Sequence, residues 1–150
     1  MPSYEISAII NRPVSEVFAF VADFSMASKW MPEVKEMKVL SPGPVGVGSK
    51  LQEVLRAGPK VKGRYQLEIT EWAQDSVIAM KGAGPGIKSF AGRYTFQGVE
   101  GGTRMTTAVT VKLSAIVRPF GWFLTPKMRG DEWRRFEALK RLLETPAKPA

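Results

Sequence analysis

Apolar residues recur at every second position from Tyr4 to Ile10, which predicts a half-buried strand. Pro13 suits the first turn of a helix. The apolar residues that follow recur at intervals of three and four, which predicts a helix of about two turns: Val14, Val17, Phe18 and Val21. A second short helix is predicted from Phe24 to Trp30, with Pro32 ending it. A strand that leads directly into two short helices limits the folds that the chain can adopt.

Six further strands are predicted, separated by turn-rich segments: Val34–Leu40, Ser49–Arg56, Val61–Trp72, Val77–Lys81, Ser89–Gln97 and Thr103–Ser114. Their regular spacing is typical of an antiparallel meander. Apolar residues alternate with polar ones along them, so one face of the sheet is expected to be apolar and the other wet. Residues 82–89 approach a phosphate-binding loop, but Ile87 replaces a required Gly and a strand follows instead of a helix. A flexible hairpin at the mouth of a pocket is the better interpretation.

Beyond Pro119 the apolar spacing becomes helical again and predicts one long amphipathic helix, bent near Gly130, whose apolar face comprises Phe120, Phe123, Leu124, Met128, Phe136, Leu139, Leu142 and Leu143. That face must be buried, and the inner face of the sheet is the large apolar surface on offer. The chain is therefore expected to form one α+β domain over residues 1–145, with residues 146–150 as a flexible tail. The space between helix and sheet is the expected ligand site.

The order of these segments resembles a known family. The resemblance rests on the strand ending at Asn11-Arg12-Pro13, the following Val14 to Phe18 with Asp23, Trp30 with Pro32, the turn from Gly101 to Met105, and the closing helix. Together they resemble the SRPBCC superfamily over about residues 3 to 144. The resemblance implies the helix-grip fold of START domains, Bet v 1-like proteins and polyketide cyclase/dehydrase-like proteins.

The amino-acid composition limits the catalytic groups and metal ligands that the chain can supply. The 150 residues include no Cys and no His, which excludes disulfides, thiolate and imidazole metal sites, and Ser-His-Asp or Cys-His catalysis. Acid–base work would fall on carboxylates, Lys, Tyr or oriented water. No metal site and no cofactor are expected.

The net charge of +8 raises the question of polyanionic partners. The basic residues are dispersed along the chain, and those of the last helix alternate with Asp131, Glu132 and Glu137, which is typical of a solvated helix with internal ion pairs. Attraction to an anionic membrane surface remains an alternative. The strand carboxylates are likewise expected mainly on the outer face, because buried unpaired carboxylates are costly: Glu53, Glu68, Glu71 and Asp75.

Aromatic and Met residues on the predicted inward faces are the candidate ligand contacts: Trp30, Tyr65, Trp72, Phe90, Tyr94, Phe96, Met105, Phe123 and Met128. Core packing is the competing interpretation for each. Tyr65 and Tyr94 are the candidates for orienting a polar ligand group, since a buried phenol hydroxyl needs a partner. With Glu53, they are also the candidates for acid–base catalysis.

Three hypotheses follow. The first is a module that binds, and in one version transports, a hydrophobic or amphipathic small molecule such as a lipid or polyketide-like compound. The second, implied by the resemblance, is a cyclase or dehydratase acting on an aromatic or polyketide substrate. The third is association with an anionic membrane surface through the basic helix and residues 120–124. No signal peptide or spanning segment is visible in the sequence, so a cytoplasmic protein is expected. The dispersed basic residues predict no specific nucleic-acid partner, and a monomer or homodimer is expected.

Overall fold

The computed structural model describes residues 3–57 and 59–144, with the backbone alone for residues 57 and 122–125. Strand β1 (Ser3–Ile10) leads into helix α1 (Val14–Ala22), a 3-10 turn (Phe24–Met26) and the short helix α2 (Ala27–Trp30). Six strands follow: β2 (Val34–Val39), β3 (Lys50–Ala57), β4 (Lys60–Ala73), β5 (Val77–Gly84), β6 (Ile87–Val99) and β7 (Gly102–Leu113). A second 3-10 turn (Arg118–Phe120) precedes the long helix α3 (Gly121–Glu144). The predicted tail lies outside the described residues.

All seven strands form one antiparallel sheet in the order β1-β7-β6-β5-β4-β3-β2. The predicted meander from β2 to β7 is therefore present. The last strand, β7, pairs with the first, β1, so β1 and β2 form the two edges of the sheet. Helix α3 packs against β1 and α2. Its buried residues Phe136 and Leu139 belong to the same apolar cluster as the inner face of the sheet. This places the core between the helix and the sheet.

One end of that core is closed by α1. The Phe18 ring meets the rings of Trp72 and Phe96 edge-on, with centroids 5.7 and 5.3 Å apart. The β6–β7 turn approaches the end of β1 closely at Gly102, whose φ of 145° favours glycine and where a Cβ would lie 2.1 Å from the carbonyl oxygen of Ile10. The sheet and the short helices are thus tightly joined at this end.

Several boundaries differ from the sequence prediction. Strands β5 and β6 extend to Gly84 and Ile87, so the Gly-rich segment is mostly strand and the turn is only Pro85-Gly86. Val61 lies an even number of residues from the buried Tyr65 and Leu67, so simple alternation predicts that it points inward. It is exposed because the β3–β4 register shifts at Leu55/Arg56 and reverses the alternation there.

The predicted apolar face of α3 also needs correction. Phe120 and Leu142 are exposed, whereas Glu132 is buried. No helix within the described residues has both the length and the apolar character needed to cross a bilayer.

Candidate functional site

A cavity of about 410 Å³ lies between the inner face of the sheet and α3. The strands contribute every second side chain to it, because successive residues of a strand point to opposite faces. Most of the lining is apolar, including Met37, Leu55, Leu67, Met80, Phe90, Val109, Val111 and Leu113. Helix α2 adds Trp30, and α3 adds Met128. The cavity can therefore enclose an apolar body.

A charged cluster forms the α3 side of the cavity, centred on Arg135. Its guanidinium forms a salt bridge with Glu33 through Nε and Nη2, and its Nη1 lies 3.0 Å from Oε1 of Glu132. The same Nη1 lies 3.4 Å from the Tyr94 hydroxyl. The Tyr4 hydroxyl donates to Oε1 of Glu132 at 3.2 Å. Arg135 thus contacts two carboxylates and one phenol directly, and Glu132 links the cluster to the second phenol, Tyr4.

Burial sets the protonation of this cluster. Burial raises the pKa of Glu132, and the neighbouring charge of Glu33 raises it further, while Arg135 opposes both effects. Burial alone would lower the pKa of Arg135, but the surrounding carboxylates outweigh it and keep the pKa above its usual value. Burial, followed by the charge of Glu132, raises the pKa of both Tyr4 and Tyr94. Both phenols therefore stay protonated. Tyr4 donates its proton to Glu132, and Tyr94, which accepts from Arg135, is left with a proton to donate.

Glu53 lines the cavity without a hydrogen bond or salt bridge to the described residues. It lies on β3 directly opposite Tyr65 of β4 in the strand register. Burial raises the pKa of Glu53; the positive charge of Arg135 opposes this, and Glu33 and Glu132 add to it. The expectation that this carboxylate faces solvent is therefore wrong. Glu53 is a carboxyl group that faces the cavity, and its protonated form is favoured more than that of an exposed Glu.

Two further polar atoms on lining residues lack a partner among the described residues. The indole Nε1 of Trp30 and the hydroxyl of Thr107 are both buried. The Trp30 ring lies against Tyr94, with ring centroids 6.2 Å apart. In contrast, the Tyr65 hydroxyl is satisfied, because it donates to the carbonyl oxygen of Pro85 at 3.0 Å. Tyr65 thus joins the cavity wall to the turn between β5 and β6.

The structure separates the predicted contacts into two groups. Those that line the cavity are Trp30, Tyr65, Phe90, Tyr94, Met128 and, from the catalytic candidates, Glu53. Trp72, Phe96 and Met105 do not line it. Trp72 and Phe96 pack on Phe18 at the closed end, and Met105 is fully buried in the same cluster. The side chain of Phe123 lies outside the described residues.

Sequence reasoning missed several polar members of the site. Tyr4, Glu33, Glu132 and Arg135 line the cavity, whereas the charges of α3 were predicted to lie on a solvated face. A signal was available in the helical spacing. Glu132 and Arg135 precede the buried Leu139 by seven and four residues, so all three lie on one helix face. Among the described residues, no group of three or more carboxylates is arranged to hold a metal ion.

Known structures share this fold over nearly the whole chain. A START superfamily protein from Mycobacterium smegmatis is 17% identical, with 95% of this chain and 97% of that chain covered and a TM-score of 0.78. A protein from Thermus thermophilus is 20% identical, with 93% and 95% covered and a TM-score of 0.73. The Zhui aromatase/cyclase from a Streptomyces species is 11% identical, with 95% and 93% covered and a TM-score of 0.75. These likenesses confirm the predicted helix-grip fold.

No protein with a curated description matches the sequence. A family model does match, and it covers residues 1–144. Its description is polyketide cyclase / dehydrase and lipid transport, in agreement with the predicted SRPBCC resemblance. This chain therefore belongs to the polyketide cyclase / dehydrase and lipid transport family.

Proposed function

We propose that the protein binds a hydrophobic or amphipathic small molecule, such as a lipid or a polyketide-like compound, in the cavity between the sheet and α3. The observation that carries the proposal is an apolar cavity of about 410 Å³ with one charged wall. That volume lies within the range of roughly 300–1,000 Å³ found for small-molecule sites. Membership of the family and the helix-grip fold support the same function.

The lining also indicates how such a ligand would lie. Phe90 and Met128 offer apolar surface, and the thioether of Met adapts to irregular shapes. At the charged wall, the Tyr94 hydroxyl and the Glu53 carboxyl are available to a polar group of the ligand. We therefore expect a ligand with an apolar body and a polar group directed toward Glu53, and we assign Trp30 and Tyr65 to the surrounding wall.

Filling the cavity tests this proposal. Gly92 lies on the cavity side of β6, and a Cβ built there meets only Val109 Cγ2, at an ordinary contact distance of 3.9 Å. Gly92→Leu should therefore fold and place its side chain in the cavity. Titration with the neutral dye Nile red should show enhanced fluorescence for the wild-type protein and at least tenfold weaker binding for Gly92→Leu, because the variant fills the binding space.

Ala91→Leu provides the matched control, since Ala91 is the exposed neighbour on the opposite face of β6. It should bind Nile red like the wild-type protein. Native mass spectrometry of the purified protein and thermal shifts with fatty acids and polycyclic aromatic compounds would then narrow the ligand class. Equal dye binding by Gly92→Leu and Ala91→Leu, or no co-purified ligand and no stabilisation by any compound, would contradict the proposal.

A second candidate is a cyclase or dehydratase acting on an aromatic or polyketide substrate. The observation that favours it is the Glu53 carboxyl, which faces the cavity without a partner among the described residues and whose raised pKa suits general acid–base catalysis. Tyr65 and Tyr94 would act beside it. With a polyketide-like substrate, turnover that is lost in Glu53→Gln while binding is retained supports catalysis. Retained turnover in Glu53→Gln, Tyr65→Phe and Tyr94→Phe counts against all three roles.

A further inference from the structure

Three segments contain the exposed residues of the cavity lining, and together we call them the mouth region: residues 56–64 apart from residue 58, 84–89 and 112–131. Each contributes to the cavity lining, through Lys62, Pro85 and Val117 among others. The segments also contact one another. A Cβ at Gly63 would lie 3.0 Å from Pro85 Cγ, and the Ser114 backbone N–H donates to the Gly86 carbonyl oxygen at 3.2 Å. They therefore form one continuous surface.

The positive charge of the protein is concentrated in this region. It holds nine Lys and Arg residues and a single acidic residue, Asp131, for a net charge of +8: Arg56, Lys60, Lys62, Arg64, Lys88, Lys112, Arg118, Lys127 and Arg129. The rest of the chain has thirteen basic and thirteen acidic residues, so its net charge is zero. Of the nine cations, Lys127 alone forms a salt bridge within the described residues, with Asp131 at 3.2 Å. The sequence hides this asymmetry because the segments are separate in the chain.

Apolar side chains project from the same surface. Ile116 is 86% exposed and Phe120 is 57% exposed, on the connection between β7 and α3. Arg118 lies between them in the sequence and is also exposed. Their neighbour Val117 faces the cavity. Exposed apolar groups that flank a cation suit the interface of an anionic bilayer, where the apolar groups enter the headgroup layer and the cation meets phosphate.

We propose that the mouth region docks onto an anionic membrane surface, with Ile116 and Phe120 inserted among the headgroups and the cavity opening toward the bilayer. The exposed apolar pair favours a membrane over a nucleic acid, since a phosphate backbone offers nothing to bury it. The proposal goes beyond ligand binding, and either can fail without the other. Ligand binding is measured with Nile red in the absence of vesicles, and docking is measured with vesicles.

The experiment is co-sedimentation of the full chain with vesicles of phosphatidylcholine alone or with added phosphatidylserine. Binding should require phosphatidylserine and should fall steeply with added salt, because salt screens exposed charges. Each cation near an anionic surface contributes about fivefold in affinity, so Lys88→Gln/Arg118→Gln should bind about 25-fold more weakly. These two residues do not line the cavity, so Nile red binding should be unchanged.

Lys38→Gln/Arg104→Gln is the matched control, since both residues are exposed and lie outside the mouth region. It should bind vesicles like the wild-type protein. Ile116→Ser should weaken binding several-fold, whereas Val47→Ser, which removes an exposed apolar side chain elsewhere, should not. Thermal unfolding verifies that each variant is folded.

Three results would overturn the proposal. The first is no binding to phosphatidylserine vesicles at low salt. The second is equal loss of binding in the two charge variants, which would mean that net charge alone attracts the protein. The third is binding to a short DNA duplex that depends on Lys88 and Arg118, with vesicle binding unaffected by Ile116→Ser. That pattern would assign the surface to a polyanion instead.

Discussion

Replacing Arg135 with Met should destabilise the fold by about 3–5 kcal/mol at neutral pH, the usual cost of removing one partner from a buried ion pair. Glu132 is 4% exposed, and the Arg135 side chain is 15% exposed. The variant leaves the carboxylates of Glu132 and Glu33 without a cation, although Met fills much of the volume. For a chain of this length each kcal/mol shifts the melting temperature by about 2–4 °C, so a fall of roughly 6–20 °C is expected.

Urea unfolding followed by Trp fluorescence measures this loss, with Arg134→Met as the matched control. Arg134 is the neighbouring residue, and its side chain is 59% exposed and paired with Asp131. An exposed pair contributes about 0–1 kcal/mol, so the control should remain close to the wild-type protein. Arg135→Met should also lose less stability at acidic pH, since protonated Glu132 needs no cation.

Adding Glu132→Gln to Arg135→Met should recover about 1–3 kcal/mol, because it removes the buried charge that the first change leaves uncompensated. Two results would refute the reasoning. In one, Arg135→Met costs no more than Arg134→Met. In the other, the added Glu132→Gln destabilises the protein further, which would mean that the carboxylate is not the source of the cost.

Two further predictions concern other parts of the cavity wall. Because burial raises the pKa of Glu53 in the folded state, its contribution to stability is present at low pH and is lost as the pH rises through that pKa. Glu53→Gln should therefore unfold at higher urea than the wild-type protein at about pH 8 and at a similar urea concentration at about pH 4, whereas the exposed control Glu100→Gln should show no such trend. If Glu53→Gln changed the urea midpoint equally at both pH values, ionisation of Glu53 would not destabilise the folded wild-type protein. Gly84→Ala should cost about 1–3 kcal/mol, because the new Cβ would lie 2.2 Å from Tyr65 Cδ2 and displace that ring. Gly46→Ala, where a Cβ meets nothing within 4 Å, should be nearly neutral in the same urea titration, and equal stability of the two variants would show that Tyr65 moves freely.

Most of the fold was predictable from periodicity. Alternation along the strands and three-to-four spacing in α1 and α3 depend on local geometry, so the number and order of the elements could be predicted from the sequence. The errors occur where pairing between strands changes the local pattern. Val61 faces solvent because of the register shift between β3 and β4, which the sequence of β4 alone does not reveal.

The aromatic and apolar lining of the candidate site was predictable from the sequence, whereas the cluster around Arg135 was not. Trp30, Phe90 and Met128 line the cavity as expected, because apolar residues on inward faces line whatever space those faces enclose. Trp72 and Phe96 have the same alternation but lie at the end that α1 closes. The two groups differ in their position along the strands. Where the helices pack decides which end of each strand borders the cavity and which end is closed.

The sequence by itself determined the element order, the apolar interior and the absence of imidazole and thiol chemistry, because each depends on residue type and spacing. The tertiary structure decided where the charges act. It brought Glu33, Glu53 and Glu132 around Arg135 inside the cavity, and it joined three separate segments that together carry nine of the 22 basic residues. The physical reason is that electrostatic interactions depend on distance in space and on burial, and neither is written in the local pattern of the chain.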